Sequence, residues 1–171
     1  WTDPEYCQSK SLTWYGWWLR LQADFDTRVS RKKLESALKK IKHDDSGETA
    51  VAAGPTKGKV AIFVTCYGNH NHPQMVEDLV AVLRHNGIPV KLIRQNQCCG
   101  MPKLELGDLD SVDAYKQRNM PPMSDAVNDG WDIIAPIPSC VLMFKQELPL
   151  MYPDDAQVLA IKRAIFDPFE Y

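Results

Sequence analysis

Three short apolar runs, separated by stretches of helical periodicity, dominate the pattern from residue 59 onward. They occupy residues 60–64, 88–93 and 132–135. Runs of this length without regular polar alternation are typical of strands that are buried on both faces of a parallel sheet. The pattern therefore predicts an α/β fold, with a small open parallel sheet flanked by helices in βαβ units.

Helical periodicity fills the intervals and follows the last apolar run. Four stretches show it: 74–86, 107–130, 141–147 and 154–165. We expect an interruption of the second stretch at Pro121-Pro122 and a disturbance of the third near Pro149, because proline removes a backbone donor and clashes inside a helix. Strand, helix and strand in succession predict parallel strands joined by helical crossovers.

Residues 1–43 have a different character and predict a helical arm ahead of the sheet. Four of the five tryptophans fall in this segment, three of them close together at Trp14, Trp17 and Trp18, and residues 20–42 carry eight Lys/Arg against three Asp/Glu. An aromatic, basic and amphipathic arm packs on its own domain or a partner, and it also suits peripheral contact with a membrane. The composition of residues 44–58 is typical of a linker, which leaves 59–171 as the α/β domain.

Composition excludes several classes of protein. Apolar residues make up 44% of the 171, charged residues 25%, and the net charge is −2, so no basic field suggests nucleic acid as a partner. No apolar run approaches the roughly 18 residues of a spanning helix, and no signal peptide is visible. We expect a reducing intracellular compartment, cytoplasm or organelle matrix, with membrane association only through a complex, and no secretion.

Four of the five cysteines follow the predicted strands. Cys66 comes after the first strand, Cys98 and Cys99 after the second, and Cys140 after the third. Because ligands gather at the carboxyl edge of an open parallel sheet, these loops are expected to converge on one spot. Gly100 frees the backbone to turn, so that both adjacent sulfurs could face the same site.

The chemistry of four clustered thiols favours a soft metal. Cys140 stands in Pro138-Ser-Cys140, at a predicted helix start, where free N–H groups stabilise a thiolate. Four thiolates suit Zn²⁺ or an iron–sulfur cluster. The alternative is that the cysteines are buried as small hydrophobic side chains. The sequence therefore predicts a cofactor and metal site made of Cys66, Cys98, Cys99 and Cys140.

The same residues carry a family resemblance. Cys66, then Cys98-Cys99-Gly100-Met-Pro102, then Pro138-Ser-Cys140 resembles the cysteine-rich CCG domain, which occurs in the B subunit of heterodisulfide reductase and in the C subunit of anaerobic glycerol-3-phosphate dehydrogenase. The resemblance covers about residues 59–171. It implies an iron–sulfur cofactor and a role in linking a flavoprotein dehydrogenase to quinone or a disulfide.

The chain departs from the family pattern at one ligand position. The family has a final CxxC pair, and here its first position is Ile137. The five-thiolate non-cubane cluster of some members cannot form from these residues alone. A [4Fe–4S] cluster is the first expectation, followed by [2Fe–2S], zinc or an empty site. Cys7, His70 and His72 are further candidates, as a fifth thiolate and as loop imidazoles beside Cys66.

Two functions follow from these possibilities. The first is an electron-transfer, non-catalytic subunit of a larger oxidoreductase, partnered by a flavoprotein dehydrogenase and an iron–sulfur or membrane-anchor subunit. Four thiolates leave no open coordination position, which suits passage of electrons better than bond breaking. The alternative is a structural or assembly subunit of a respiratory-type complex, whose site holds zinc or is degenerate. The missing cysteine at 137 favours that alternative.

Overall fold

The structure, a computed structural model, describes residues 55–93 and 97–171. The strands of this part of the chain form one sheet: β1 (Val60–Ile62), β2 (Val90–Leu92), β3 (Asp132–Ile134) and β4 (Ile165–Phe166). Their order is β2-β1-β3-β4, and every neighbouring pair is parallel. The predicted α/β class with an open parallel sheet is therefore confirmed.

Helices connect the strands along the chain. They are α1 (Thr65–His70), α2 (Pro73–His85), α3 (Met101–Glu105), α4 (Leu109–Asn128), α5 (Pro138–Leu142), α6 (Leu148–Met151) and α7 (Ala156–Ala164), with a π-helical turn (Met143–Glu147) between α5 and α6. The disturbance predicted near Pro149 takes the form of this wider turn, and Pro149 itself lies in the first turn of α6, where proline is tolerated.

The sheet is buried at its centre. Val60, Ala61 and Ile62 of β1 have no solvent-exposed surface, and Ile133 and Ile134 of β3 are equally buried. This is the burial that the apolar run at 60–64 predicts for a strand covered on both faces. The core therefore surrounds the strands that lead into the cysteine loops.

The interruption predicted at Pro121-Pro122 is wrong, because α4 runs through both prolines. Each proline leaves a carbonyl of the preceding turn without its helical donor, at a cost of about 3 kcal/mol. Met120 and Met123, on either side of the pair, are buried in the core. Burying such side chains stabilises by about 1.5–3 kcal/mol each, which offsets much of that cost.

The end of the chain also differs from the prediction. The helix expected over 154–165 is capped by Asp155, whose side chain accepts from the N–H groups of Gln157 and Val158, and it ends at Ala164. Ile165 then begins β4, which pairs with β3. Tertiary pairing with an open sheet edge thus overrides helical periodicity at this point.

Two predicted segments cannot be compared with the structure. The arm over 1–43 and most of the linker over 44–58 lie outside the described residues, so these boundaries stay predictions. In residues 55–93 and 97–171, no helix has the length and the apolar content that crossing a membrane requires.

Helix α1 approaches α2 closely at Gly68. A Cβ atom placed on Gly68 would lie 2.8 Å from Cγ2 of Val76, a side chain that is fully buried. Contacts this short force neighbouring atoms to shift. The absence of a side chain at Gly68 therefore permits the packing of α1, the helix that carries Cys66.

Gly68→Ala is expected to destabilise the fold by about 1–3 kcal/mol, the usual cost of overpacking a buried site. The free energy of unfolding from chemical denaturation measures this. In a Val76→Ala background the same substitution should cost less, because the clashing methyl group is gone. Equal costs in both backgrounds would show that Val76 does not set the requirement for glycine.

Candidate metal centre

The three cysteine-bearing segments start at the same edge of the sheet. β1 lies between β2 and β3, and the three strands are parallel and in register at Ile62, Leu92 and Ile134. The chain runs from β1 to β2 on one side and later to β3 on the other, so a topological switch point lies beside β1. Ligand sites in open α/β sheets form at this position, outside the carboxyl ends of the strands.

The structure brings the four predicted cysteines together. The sulfur atoms of Cys66 and Cys98 are 3.7 Å apart. Cys99 also interacts with Cys98 on one side and with Cys140 on the other. None of the four forms a disulfide. Residues that are far apart in sequence therefore form a continuous row of thiols.

The row has an inner and an outer half. Cys99 and Cys140 are only 3% exposed and belong to the hydrophobic core, whereas Cys66 and Cys98 are partly exposed. Phe63 and Phe144 pack edge to face in the same core, with ring centroids 5.1 Å apart. The inner half is thus dry, and the outer half is open to a reagent or a partner.

Backbone strain precedes the first cysteine. Thr65 is fully buried and has a φ of +68°, a conformation that β-branched residues rarely adopt. Its hydroxyl accepts the N–H of Gly68 at 3.1 Å. Cys66 follows in the first turn of α1. The strained residue therefore stands where the chain turns from β1 to present the sulfur, a placement common at functional sites.

Gly100 turns the chain after the paired cysteines. Its φ of +99° lies in the region that favours glycine. The carbonyl of Gly100 accepts the N–H groups of Lys103 and Leu104, which starts α3. The prediction that Gly100 permits a tight turn at this point is confirmed.

A proline shapes the third segment. Ile137 precedes Pro138 and is extended, with φ −114° and ψ 117°, as the residue before a proline tends to be. Pro138 then occupies the start of α5, where its missing N–H costs nothing. Cys140 sits in the first turn, with its N–H donated to the carbonyl of Ile137 at 3.0 Å. The predicted helix start at Pro138 is confirmed.

Interactions within the row give the thiols different pKa values. The Cys98 sulfur accepts from the Cys66 and Cys99 thiols and from the backbone N–H groups of Gly100 and Cys99, which holds the pKa of Cys98 well below its ordinary value. Donation to Cys98, together with burial, raises the pKa of Cys66. Interaction with the Cys140 and Cys98 sulfurs, together with burial, raises the pKa of Cys99.

The donor set suits a soft metal centre. The 3.7 Å between Cys66 and Cys98 is close to the edge of a tetrahedron with metal–sulfur bonds of about 2.3 Å, roughly 3.8 Å. Among residues 55–93 and 97–171, no group of three or more Cys, His, Asp or Glu side chains already has metal-binding geometry. The four thiols form a row instead, and binding would require them to rearrange around one centre.

The other candidate ligands are two histidines near Cys66 in sequence and one cysteine of the N-terminal arm. His70 and His72 are exposed at the end of α1 and before α2, and ligation by either stays a prediction. Cys7 is not among the described residues. Asn119, which the sequence analysis missed, is fully buried in α4 and bonds to the backbone at Cys98. The one signal in the sequence was that Asn119 is a polar residue directly before Met120, an apolar helix position that is buried in the structure.

Comparison with known proteins agrees with the motif. The family model of the cysteine-rich domain, CCG, matches residues 60–145. That range contains all four cysteines of the row and the CCG tripeptide itself. No solved structure is significantly similar to the chain.

Several curated proteins are similar over parts of their length. The C subunit of anaerobic glycerol-3-phosphate dehydrogenase from Escherichia coli (strain K12) is 34% identical over 94 residues, covering 54% of this chain and 24% of that protein. The B subunit of fumarate reductase (CoM/CoB) from Methanothermobacter marburgensis is 25% identical over 141 residues, 82% of this chain and 28% of that protein.

Lactate utilization protein A of Bacillus cytotoxicus is 28% identical over 109 residues, which cover 64% of this chain and 44% of that protein. In these three comparisons the chain therefore spans between about a quarter and less than half of the relative's length.

In the reduced, metal-free protein, iodoacetamide should alkylate Cys98 before Cys66, Cys99 and Cys140. Its sulfur is partly exposed, and its lowered pKa keeps it a thiolate as the pH falls. Between pH 8 and pH 6 its rate should therefore fall far less than the roughly tenfold per unit of an ordinary thiol. Peptide mapping by mass spectrometry measures the order of labelling.

The unfolded protein is the control, because there every cysteine should titrate near its ordinary pKa of about 8.5. Earlier labelling of buried Cys99 or Cys140 in the folded protein would contradict the arrangement of the row. So would an ordinary pH dependence at Cys98.

Proposed function

The chain belongs to the cysteine-rich CCG domain family, and we propose that it is an electron-transfer subunit of a larger oxidoreductase. The observation that carries the proposal is the convergence of four thiols from three sheet-edge segments. Cys66, Cys98, Cys99 and Cys140 would hold an iron–sulfur cluster, with [4Fe–4S] the first expectation.

The names of the relatives support this role. Two are subunits of enzymes whose names describe redox reactions, a dehydrogenase and a fumarate reductase. The chain covers 24% and 28% of those two proteins, so their activities and partners do not transfer directly. The proposal is limited to a subunit that exchanges electrons with other subunits, by family resemblance a flavoprotein dehydrogenase and an iron–sulfur or membrane-anchor subunit.

The burial pattern suits electron exchange. A bound iron–sulfur cluster would take up and release single electrons without breaking bonds of a substrate. Cys99 and Cys140 would hold its dry side against the core, which limits access of water. Cys66 and Cys98, partly exposed, would hold the side that a partner can approach. With all four thiolates engaged, the protein would offer no open position for a substrate.

A structural zinc site is the second candidate. The 3.7 Å spacing of the Cys66 and Cys98 sulfurs suits two ligands of one tetrahedral ion. Ile137 also replaces a cysteine that the family pattern includes. A zinc site would give this chain an assembly role in a respiratory-type complex, because Zn²⁺ has no redox chemistry.

Anaerobic purification followed by assays of iron, acid-labile sulfide and zinc distinguishes the two functions. Electron transfer predicts a brown protein with iron and sulfide in equal amounts. A colourless protein with one zinc supports the assembly role. A protein without either metal would contradict electron transfer and the zinc site, and would leave an assembly role with a degenerate, empty site.

Cys98→Ser and Cys99→Ser should each remove most of the bound metal, because serine is a poor ligand for soft metal centres. Val82→Ser, at an exposed position of α2 that supplies no thiol, is the control, and it should retain the wild-type metal content. Retention of metal in both Cys98→Ser and Cys99→Ser would show that the ligand assignment is wrong.

A further inference from the structure

Asn119 connects helix α4 to the paired cysteines. Its side chain has no solvent-exposed surface. The amide Nδ2 donates to the backbone carbonyl of Cys98 at 2.9 Å, and the amide Oδ1 accepts the backbone N–H of Gln97 at 2.7 Å. Both polar atoms of one buried side chain are thus bonded to the segment that enters the CCG turn.

We propose that Asn119 is a positioning residue, which fixes the backbone at Gln97 and Cys98 and thereby aims the Cys98 thiol. The inference rests on the proposed function, because its importance depends on the row being a metal site. It concerns a residue that carries no metal ligand of its own and acts only through the backbone of Cys98.

The segment needs such support. Residues 97–99 belong to neither a helix nor a strand, so no regular backbone ladder holds them. At the other end of the turn, Gly100 has a φ of +99° and its carbonyl accepts the N–H groups that start α3. Asn119 anchors the entry to the turn, and α3 anchors the exit. The two adjacent sulfurs lie between these anchors.

The amide is required in one orientation only. With its oxygen toward the Gln97 N–H and its nitrogen toward the Cys98 carbonyl, both bonds form. A carboxylate in the same place could accept from Gln97 but would face the carbonyl oxygen of Cys98 with a second acceptor. Aspartate, although nearly identical in shape, should therefore lose one bond and add a repulsion at the cysteine.

Packing alone does not explain this residue. Val112, Met120 and Met123 of the same helix are almost fully buried and supply apolar contact with the core. An asparagine buried among them carries a cost unless its polar atoms are bonded. Here those bonds go to the cysteine segment, so the specific contribution of Asn119 lies at the site.

The test uses Asn119→Asp and Asn119→Ala, with Val112→Ala as a control that removes buried volume about two turns away on the same helix. In the metal-free protein, hydrogen exchange of the Gln97 amide should become roughly tenfold faster in Asn119→Ala, the factor that one lost buried hydrogen bond is worth. In Val112→Ala, exchange of the Gln97 amide should become faster only by the amount that the loss of global stability explains.

Cobalt titration gives the second measurement. Co²⁺ reports thiolate ligation through its absorption bands, and its dissociation constant should rise about 10- to 100-fold in both Asn119 variants, as for other residues that orient metal ligands. Val112→Ala should bind as the wild type does. Asn119→Asp, which creates no cavity, guards against the interpretation that Asn119→Ala is merely unstable.

Unchanged Gln97 exchange and unchanged Co²⁺ affinity in Asn119→Ala would overturn the inference. So would equal weakening of Co²⁺ binding in Val112→Ala, because the effect would then follow general stability. If the wild type binds neither Co²⁺ nor iron, the proposed function fails. The exchange of Gln97 still decides separately whether Asn119 fixes the turn.

Discussion

The parallel register of β2, β1 and β3 is the constraint on which the site depends. Ile62 aligns with Leu92 on one side and with Ile134 on the other, so the chain leaves all three strands at one edge. A contiguous motif such as CxxC would bring cysteines together through local sequence. Here the sheet does so for residues as far apart as Cys66 and Cys140, and the site exists only when the fold does.

The segments that leave this edge of the sheet contain features that are unfavourable when considered locally. Thr65 occupies the left-handed region, which costs about 1–3 kcal/mol in a β-branched residue. Gly100 reaches a similar region without that cost, and Asn119 is buried without any contact with water. Burial of the apolar core around β1 and β3 offsets these free-energy costs. The strained backbone of Thr65 and the buried amide of Asn119 therefore both adjoin the cysteine segments.

The sequence predicted the parts of this structure that depend on local pattern. Apolar runs identify β1, β2 and β3, and the residues after them identify the cysteine segments. This is possible because the hydrophobic pattern within one strand already indicates its burial. Strand β4 was missed since Ile165 and Phe166 continue a helical pattern and become a strand only by pairing with β3. The helix through Pro121 and the amide of Asn119 were missed for the same reason, since tertiary packing decides both.

Anomalous diffraction at the iron and zinc absorption edges, from crystals grown without oxygen, would show whether the four cysteines share one metal centre. We expect scattering from one centre, with the sulfurs of Cys66, Cys98, Cys99 and Cys140 at about 2.3 Å from its metal atoms. A peak at the iron edge would assign electron transfer, and one at the zinc edge alone the assembly role. Absence of a peak at these four sulfurs, or a metal bound elsewhere on the chain, would contradict a shared centre.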